Sequence, residues 1–514
     1  MKIQRLKIRG GYRFLRFDGM PNDNLNHLKI PEKVTIPLTI KPGYSATPLV
    51  KTGDNVITGQ KVAENNNTLP FTLHSTITGV VEEIAKPIQE SKNPLEITGY
   101  IKIKNNGKPE EFSAISSSEN WDTMDTEGLI DLIYQSGATV LGRSGIPLDI
   151  KSKSIKHKIE HIIIDASESD VYTPSTGFLL KENITPLISG IGILKRVFPE
   201  TRIFLVINKK RKSIINTIKS LSRESYNNPI YKNKLNDQID VIFLTNGEYP
   251  VNSSQLIIKL TTGKDLPLNT PEYNVGVLIF DVLDILNLFN TISNKTPLIE
   301  TIILAAGPGF KKPSYIKTRV GTPVETIVAN IIDNSIKSLD NEDSKNPDEI
   351  RFFENSLING TEIKNLKIPV TSNTRSIIAV PKGDKGEFLS FALPGFKKDS
   401  FSKTYIANFL PFKKGINTNL HGERRPCISC GFCRSVCPVD IYPHILYQFI
   451  ERNIIEDTVV RYGIFECIEC KLCSYVCPSK IEIAKFLTLG KEKLEEMGIH
   501  YNDYVKNNLK IDIK

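Results

Sequence analysis

Cysteine is absent from the first 426 residues of this 514-residue chain, and all eight lie between Cys427 and Cys477. A disulfide scaffold would staple the chain throughout, so this clustering excludes one and points to a metal site. No apolar run reaches the roughly 18–20 residues needed to span a bilayer. The best candidate, Val275–Phe289, is interrupted by Asp281 and Asp284. The N-terminus has basic residues but neither the apolar segment nor the small-residue cleavage site of a secretory signal, so a cytoplasmic chain is expected. A dense basic patch is missing as well: 66 basic and 57 acidic residues leave a net charge of +9 spread over the length, which argues against nucleic acid as a partner. Met1–Asp18 is locally basic, with Lys2, Arg5, Lys7, Arg9, Arg13 and Arg16. It reads as a solvated face, with contact to anionic lipid or an acidic partner as the other use open to it.

What is present is an ordinary globular composition, 40% hydrophobic and 24% charged, in a chain too long for one core. About three to five domains are expected. Residues 1–115 read as short strands punctuated by Gly43, Gly53, Gly59 and Gly79, a small barrel or sandwich. The pattern Gly53–Val56, Gly59–Val62 and Ser75–Gly79 resembles the half-barrel repeat of biotinyl and lipoyl domains, without the modifiable lysine at a hairpin tip. Residues 120–292 alternate apolar strand runs (Ile162–Ile164, Ile203–Ile207, Val241–Leu244, Val275–Ile279) with helical spacing, which predicts an α/β domain on a mainly parallel sheet. A small β-grasp-like unit of ligand-binding type is expected at 293–345, with an exposed loop over Asp340–Asp348. A mixed connecting region follows at 350–415, and a helical two-cluster domain at 416–495. The fold class is thus multidomain, α/β plus β.

The cysteines fall into two runs, Cys427-x2-Cys430-x2-Cys433-x3-Cys437-Pro438 and Cys467-x2-Cys470-x2-Cys473-x3-Cys477-Pro478. This is the spacing of bacterial ferredoxins, in which three thiolates of a run bind one [4Fe–4S] cluster and the fourth serves the other cluster. The expected ligand sets are Cys427, Cys430, Cys433 and Cys477 for one cluster and Cys467, Cys470, Cys473 and Cys437 for the other. Zinc would need only paired cysteines and has no use for the third at this spacing or for the following proline. Ile441, Ile445, Leu446, Phe449 and Ile450 between the runs have helical spacing. Arg424, Arg425, Arg434 and Lys471 flank the thiolates, and can act on the anionic clusters or on an acidic donor.

The order of these parts resembles RnfC, the C-subunit of the Rnf ion-translocating electron-transport complex. The residues that carry the likeness are Gly142–Pro147, Leu260–Lys264 before Pro267, Asn274–Leu278, Gly321–Val324 and both cysteine runs. Glu387–Phe396 and Phe412–Arg425 look more like the A-subunit of the sodium-pumping NADH:quinone reductase, which usually lacks the cysteines. The α/β domain of the RnfC family is similar to the flavoprotein subunit of complex I. That likeness implies an FMN and NADH site built on Gly142, Arg143, Gly145, Lys151 and Glu168, with Asp170 completing an acidic pair. Three departures make FMN doubtful here: Val140 and Arg143 replace family glycines, and Asp281 replaces an asparagine, placing negative charge beside a phosphate. The glycines and lysine expected after Tyr249-Pro250 are also missing. Arg143 could instead contact a phosphate directly.

The resemblance implies an electron-relay subunit on the cytoplasmic face of the membrane, working with other subunits of an ion-translocating oxidoreductase and taking electrons from NADH or a ferredoxin-like donor. Independent catalysis is the uncertain part. An NADH- and FMN-binding dehydrogenase acting directly, or a scaffold with structural clusters, are the alternatives.

Overall fold

The structure, a computed structural model, describes residues 2–14, 17–41, 44–66, 70–86, 99–115, 120–146, 158–181, 184–227, 239–329, 350–381, 401, 413–414 and 424–500. The β-branched runs of the central domain form a five-stranded parallel sheet in the order Lys2–Arg5, Val241–Thr245, Arg202–Asn208, His161–Ala166, Val277–Asp281. Such strands are apolar on both faces because helices cover both. Ile162, Ile164, Ile203, Leu205 and Phe280 enter one core layer, and Ile163, Phe204, Val206, Val241 and Ile279 the other. Helix Thr185–Val197 crosses helix Val282–Asn294 closely, because Gly190 leaves room for Ile285. A Cβ at Gly190 would stand 2.6 Å from Ile285.

The first strand of this sheet comes from the basic N-terminus. Lys2–Arg5 adds in register to Val241–Leu244, and Leu6 is buried behind it. The stretch read as a solvated face does expose much of its side-chain charge, but its backbone adds the outermost strand of the sheet, a charged edge. Leu25–His27 likewise leaves the N-terminal unit and pairs with Ser314–Arg319. The barrel proper starts at Lys33. Its main sheet runs Lys33–Pro37, Tyr100–Asn105, Gly79–Ala85, Asn55–Val56, and a second of Thr47–Pro48, Lys61–Asn65 and Phe71–His74 packs with it around Val34, Ile36, Val62, Phe71, Ile101 and Ile103.

The segments 293–345 and 350–415 contribute to one sheet. Its order is Thr361–Ile363, Ile350–Glu354, Ser376–Pro381, Glu300–Ala306, Ser314–Arg319, Leu25–His27, with parallel and antiparallel pairs mixed. Short strands such as Ser376–Pro381 carry no periodicity of their own because both faces are buried. The Asp340–Asp348 loop, Lys151, and most of 387–425 lie outside the described residues.

The C-terminal unit is an internal repeat at an offset of 40 residues, Cys427 to Cys467. Short helices Phe432–Ser435 and Leu472–Tyr475 hold the third cysteine of each run, and helices Pro443–Glu451 and Ile483–Glu496 follow at equivalent places and pack together. The left-handed turns repeat as well: Ser429 and Glu469, Gly431 and Lys471, Asp440 and Lys480 all have positive φ.

Candidate iron–sulfur centre and flavin site

The repeat brings the thiols together in two groups. Cys433 feels Cys430 and Cys477 as electrostatic neighbours, and Cys477 feels Cys430 and Cys427. On the other side Cys437 feels Cys467, and Cys470 feels Cys467 and Cys437. Cys473 has Cys467, Cys470 and Cys437 as neighbours and also Cys433 of the other run, so the two groups adjoin each other. Burial pushes the Cys433 thiol up to about 12 and Cys437 to about 11, and raises Cys467, Cys470, Cys473 and Cys477. Bare thiolates are costly in such surroundings, so the donor set suits a cationic iron core that compensates them. Among the described residues no three His, Cys, Asp or Glu side chains close on a single ion. A cubane spreads its four thiolates over separate corners and asks for no such convergence.

The two groups differ in surroundings. In the second, Lys491 is 8% exposed and gives its ammonium to the Cys467 carbonyl at 2.6 Å and to Glu469 at 3.0 Å. Tyr249 donates its hydroxyl to the Cys470 carbonyl at 3.0 Å. In the first, His444 Nδ1 lies 3.7 Å from Cys433 Sγ, and Arg434 sits over the Tyr442 ring. Neither Lys491 nor Tyr249 was visible in the sequence, since a lysine among the Lys and Glu of an amphipathic helix looks like surface charge. The N-terminal segment also reaches this unit: Gly11 donates to the Val436 carbonyl at 2.8 Å, and Tyr12 and Phe14 pack on Tyr475.

At the carboxyl ends of the strands His161–Ala166, Val241–Thr245 and Val277–Asp281 lies a cavity of about 700 Å³, which extends to Glu469 and Cys470. Ligands of open α/β sheets bind at such a place. The sequence-predicted residues Gly142, Arg143, Glu168 and Asp170 line it. Gly142 has φ +82 and lies against Phe280, where a Cβ would come within 2.8 Å. Gly145 also has positive φ, and is not among the lining residues. Val140 turns away and joins the barrel core, so it does not occupy phosphate space as its position in the motif suggests. The loop has a residue of the barrel on one side and one of the cavity on the other.

Arg143 points into the cavity and is held there. Its guanidinium pairs with Asp165 at 2.6 Å and Asp281 at 3.4 Å and donates to the Asn252 carbonyl. Arg375, from the neighbouring six-stranded sheet, pairs with Asp281 at 3.2 Å and with Asp284. Desolvation raises the Asp284 carboxyl, with a further contribution from Asp281, while Arg375 opposes both. Asp281 is held below the usual carboxylate range because Arg143 and Arg375 together outweigh its burial. Glu168 is engaged by Arg211 and the Thr176 N–H. Asp170 is pushed up to about 6 by burial.

Among the described residues the cavity lining does not suit the phosphate of FMN. Two backbone amides of the glycine-containing loop are already spent: the Arg143 N–H donates to the Ile279 carbonyl at 2.9 Å and the Ile146 N–H to the Thr139 carbonyl. The start of helix Val282–Asn294 is closed by its own capping box of Asp281 and Asp284. Ser144 Oγ and Asn252 Oδ1 lack a partner but are fully buried. Seven carboxyl groups line the cavity against two guanidinium groups, both already paired, which opposes a phosphate dianion.

Residues 17–108 match the RnfC barrel sandwich hybrid domain, 133–290 the Nuo51 FMN-binding domain, and 426–481 a 4Fe-4S dicluster domain. The C-subunit of the ion-translocating oxidoreductase complex of Buchnera aphidicola is 24% identical over 92% of this chain and 87% of that protein. The C-subunit of the proton-translocating ferredoxin:NAD(+) oxidoreductase complex of Clostridium ljungdahlii is 20% identical over 91% of this chain and 90% of that protein. The corresponding Haemophilus influenzae protein is 24% identical over 83% of this chain, which spans only 45% of that longer protein. An NAD+-reducing [NiFe]-hydrogenase structure aligns with 76% of this chain and 66% of its own at 9% identity and a TM-score of 0.39, too loosely to argue from. With the three domains in this order and the likeness running over most of its length, the chain is similar to the C-subunits of ion-translocating oxidoreductase complexes.

Proposed function

We propose that this chain is an electron-relay subunit of a membrane-bound, ion-translocating oxidoreductase, attached from the cytoplasmic side through other subunits. The observation that carries the reading is the pair of cysteine runs in ferredoxin spacing within a matched 4Fe-4S dicluster domain, since a [4Fe–4S] cluster supplies one-electron transfer when bound and two such sites in one small unit make a conduit. Cys427, Cys430, Cys433 and Cys477 hold one and Cys467, Cys470, Cys473 and Cys437 the other. No helix among the described residues is long and apolar enough to cross a membrane, so attachment through partners is the natural arrangement. The match to an FMN-binding domain favours a second reading, direct oxidation of NADH; the paired arginines and carboxylates of the cavity speak against it. Anaerobically prepared protein mixed with NADH and, separately, with dithionite decides between them. The relay reading expects cluster bleaching with dithionite alone, and bleaching by NADH with stoichiometric flavin present would replace it.

A further inference from the structure

The two halves of the cluster unit are copies in backbone, but the polar groups set behind their thiols are not. On helix Pro443–Glu451, His444 turns its ring to the first cysteine run, with Nδ1 3.7 Å from Cys433 Sγ. Its backbone amide bears on the same sulfur and favours the ionised form. The counterpart of His444 40 residues later is Ala484, which has no side-chain donor and whose N–H donates to Ser474 Oγ at 2.9 Å. Farther along the same helices the contrast is one of charge. Lys491 is buried against the Cys467 carbonyl, whereas its counterpart in the first half, Glu451, is a carboxylate closed by Arg424. Each half therefore carries one donor directed at its thiolate run, but at positions that are not equivalent. The imidazole is half-buried and steadied from one side by the Tyr442 ring, whose centre lies 6.3 Å from its own.

From this asymmetry, and resting on the relay reading above, we propose that His444 is a positioning residue for electron uptake, whose ring N–H, directed at the Cys433 sulfur, raises the midpoint potential of the first cluster. An iron-bound thiolate has lone pairs and no proton, so a ring nitrogen beside it is favoured as a donor, which places the imidazole proton on Nδ1. Reduction brings in one electron from a low-potential one-electron donor and adds one negative charge; no proton leaves the ring. A donor to a cluster sulfur stabilises the more negative state more than the less negative one, so the potential rises. The ammonium of Lys491 gives comparable help to the second cluster. The first has a carboxylate at that helical position, so without His444 it would be the harder of the two to reduce. The ring keeps the two steps of the relay closer in potential, and does so through one ligand sulfur.

The test uses the full chain with its clusters, titrated anaerobically with dithionite at one pH and followed by EPR, with iron and sulfide measured on the same samples. The signal of the first cluster is the one that survives Cys437→Ser. His444→Leu removes the ring N–H at similar volume, and His444→Asn keeps an N–H as many bonds from the backbone as Nδ1. Both leave the backbone amide in place. In His444→Leu the first midpoint should fall by on the order of 59 mV, a tenfold shift of a one-electron equilibrium, while the second stays put. His444→Asn should restore most of the fall. In unmodified protein grown with nitrogen-labelled histidine, the reduced first cluster should show a magnetic coupling to the label. An unmoved first midpoint in His444→Leu, equal falls at both clusters, or an Asn variant that behaves as the Leu variant overturns the proposal and leaves the relay reading standing. Where His444→Leu does not assemble its first cluster, the labelled parent decides: a coupling supports the contact, and none overturns it. Unmodified protein without iron and labile sulfide defeats the relay reading itself.

Discussion

Arg375→Met is the sharpest probe of the cavity. Arg375 is 12% exposed and spends its guanidinium on Asp281 at 3.2 Å, on Asp284, and on the Ser372 carbonyl at 2.6 Å. Methionine keeps most of the volume and removes the charge, leaving Asp284, 1% exposed, without its cation. Breaking one side of a buried pair costs about 3–5 kcal/mol, which for a unit of this size lowers the melting temperature by about 6–20 °C. The loss should depend on pH. Asp284 is already raised by burial, and without Arg375 it rises further. A carboxyl raised in the folded state binds its proton more tightly there than in the unfolded chain. The deficit is therefore least in acid, where Asp284 is protonated in both states, and grows as pH climbs through the folded value. Thermal scans of variant and parent at pH 5 and pH 8, at one scan rate, measure this. Asp284→Asn added to the variant should recover much of the loss. A deficit below about 1 kcal/mol, or one of equal size at both pH values, would refute the reasoning.

Other expectations follow from the same contacts. Cys437→Ser should damage the cluster held by Cys467, Cys470 and Cys473, seen as selective loss of one reduced-state EPR signal; damage confined to the first group would contradict the exchange of ligands. Lys491→Met removes a buried cation from the Cys467 carbonyl and should lower the midpoint potential of that cluster by on the order of 59 mV, a tenfold shift of a one-electron equilibrium, while the other cluster stays put. Gly10→Ala meets both a positive φ of 63° and the Val436 backbone at 2.7 Å, so limited proteolysis should free the cluster unit faster, at a cost of about 1–3 kcal/mol. Asp170→Asn should stabilise the protein by up to about 3 kcal/mol above pH 6, where the parent carries a buried charge, and by little near pH 4.

The cysteine runs were readable because their spacing is local: each run from its first cysteine to the following proline is a contiguous motif, while the fourth ligand expected from the other run is not a local signal. The parallel sheet was readable from its apolar runs for a similar reason. What the sequence hid is non-local. Lys2–Arg5 looks like loose surface charge until Val241–Leu244 offers it an edge. Val140 stands in a motif that suggests phosphate, but the turn sends it into the barrel core. Arg375 sits in a stretch without periodicity, and its role arises only where another sheet meets Asp281 and Asp284. Arg143 was seen, but its partner was not: Asp165, far off in sequence, lies across the strand end and takes its guanidinium.

The central claim is that two interlaced [4Fe–4S] clusters carry electrons through this chain without a flavin. Anaerobic redox titration of the purified protein, with metal, sulfide and flavin analysis of the same sample, tests it most directly. The account predicts about eight iron and eight labile sulfide per chain, uptake of about two electrons in two one-electron steps, and no stoichiometric FMN. Zinc without labile sulfide, or one tightly bound FMN per chain reduced by NADH, would contradict it.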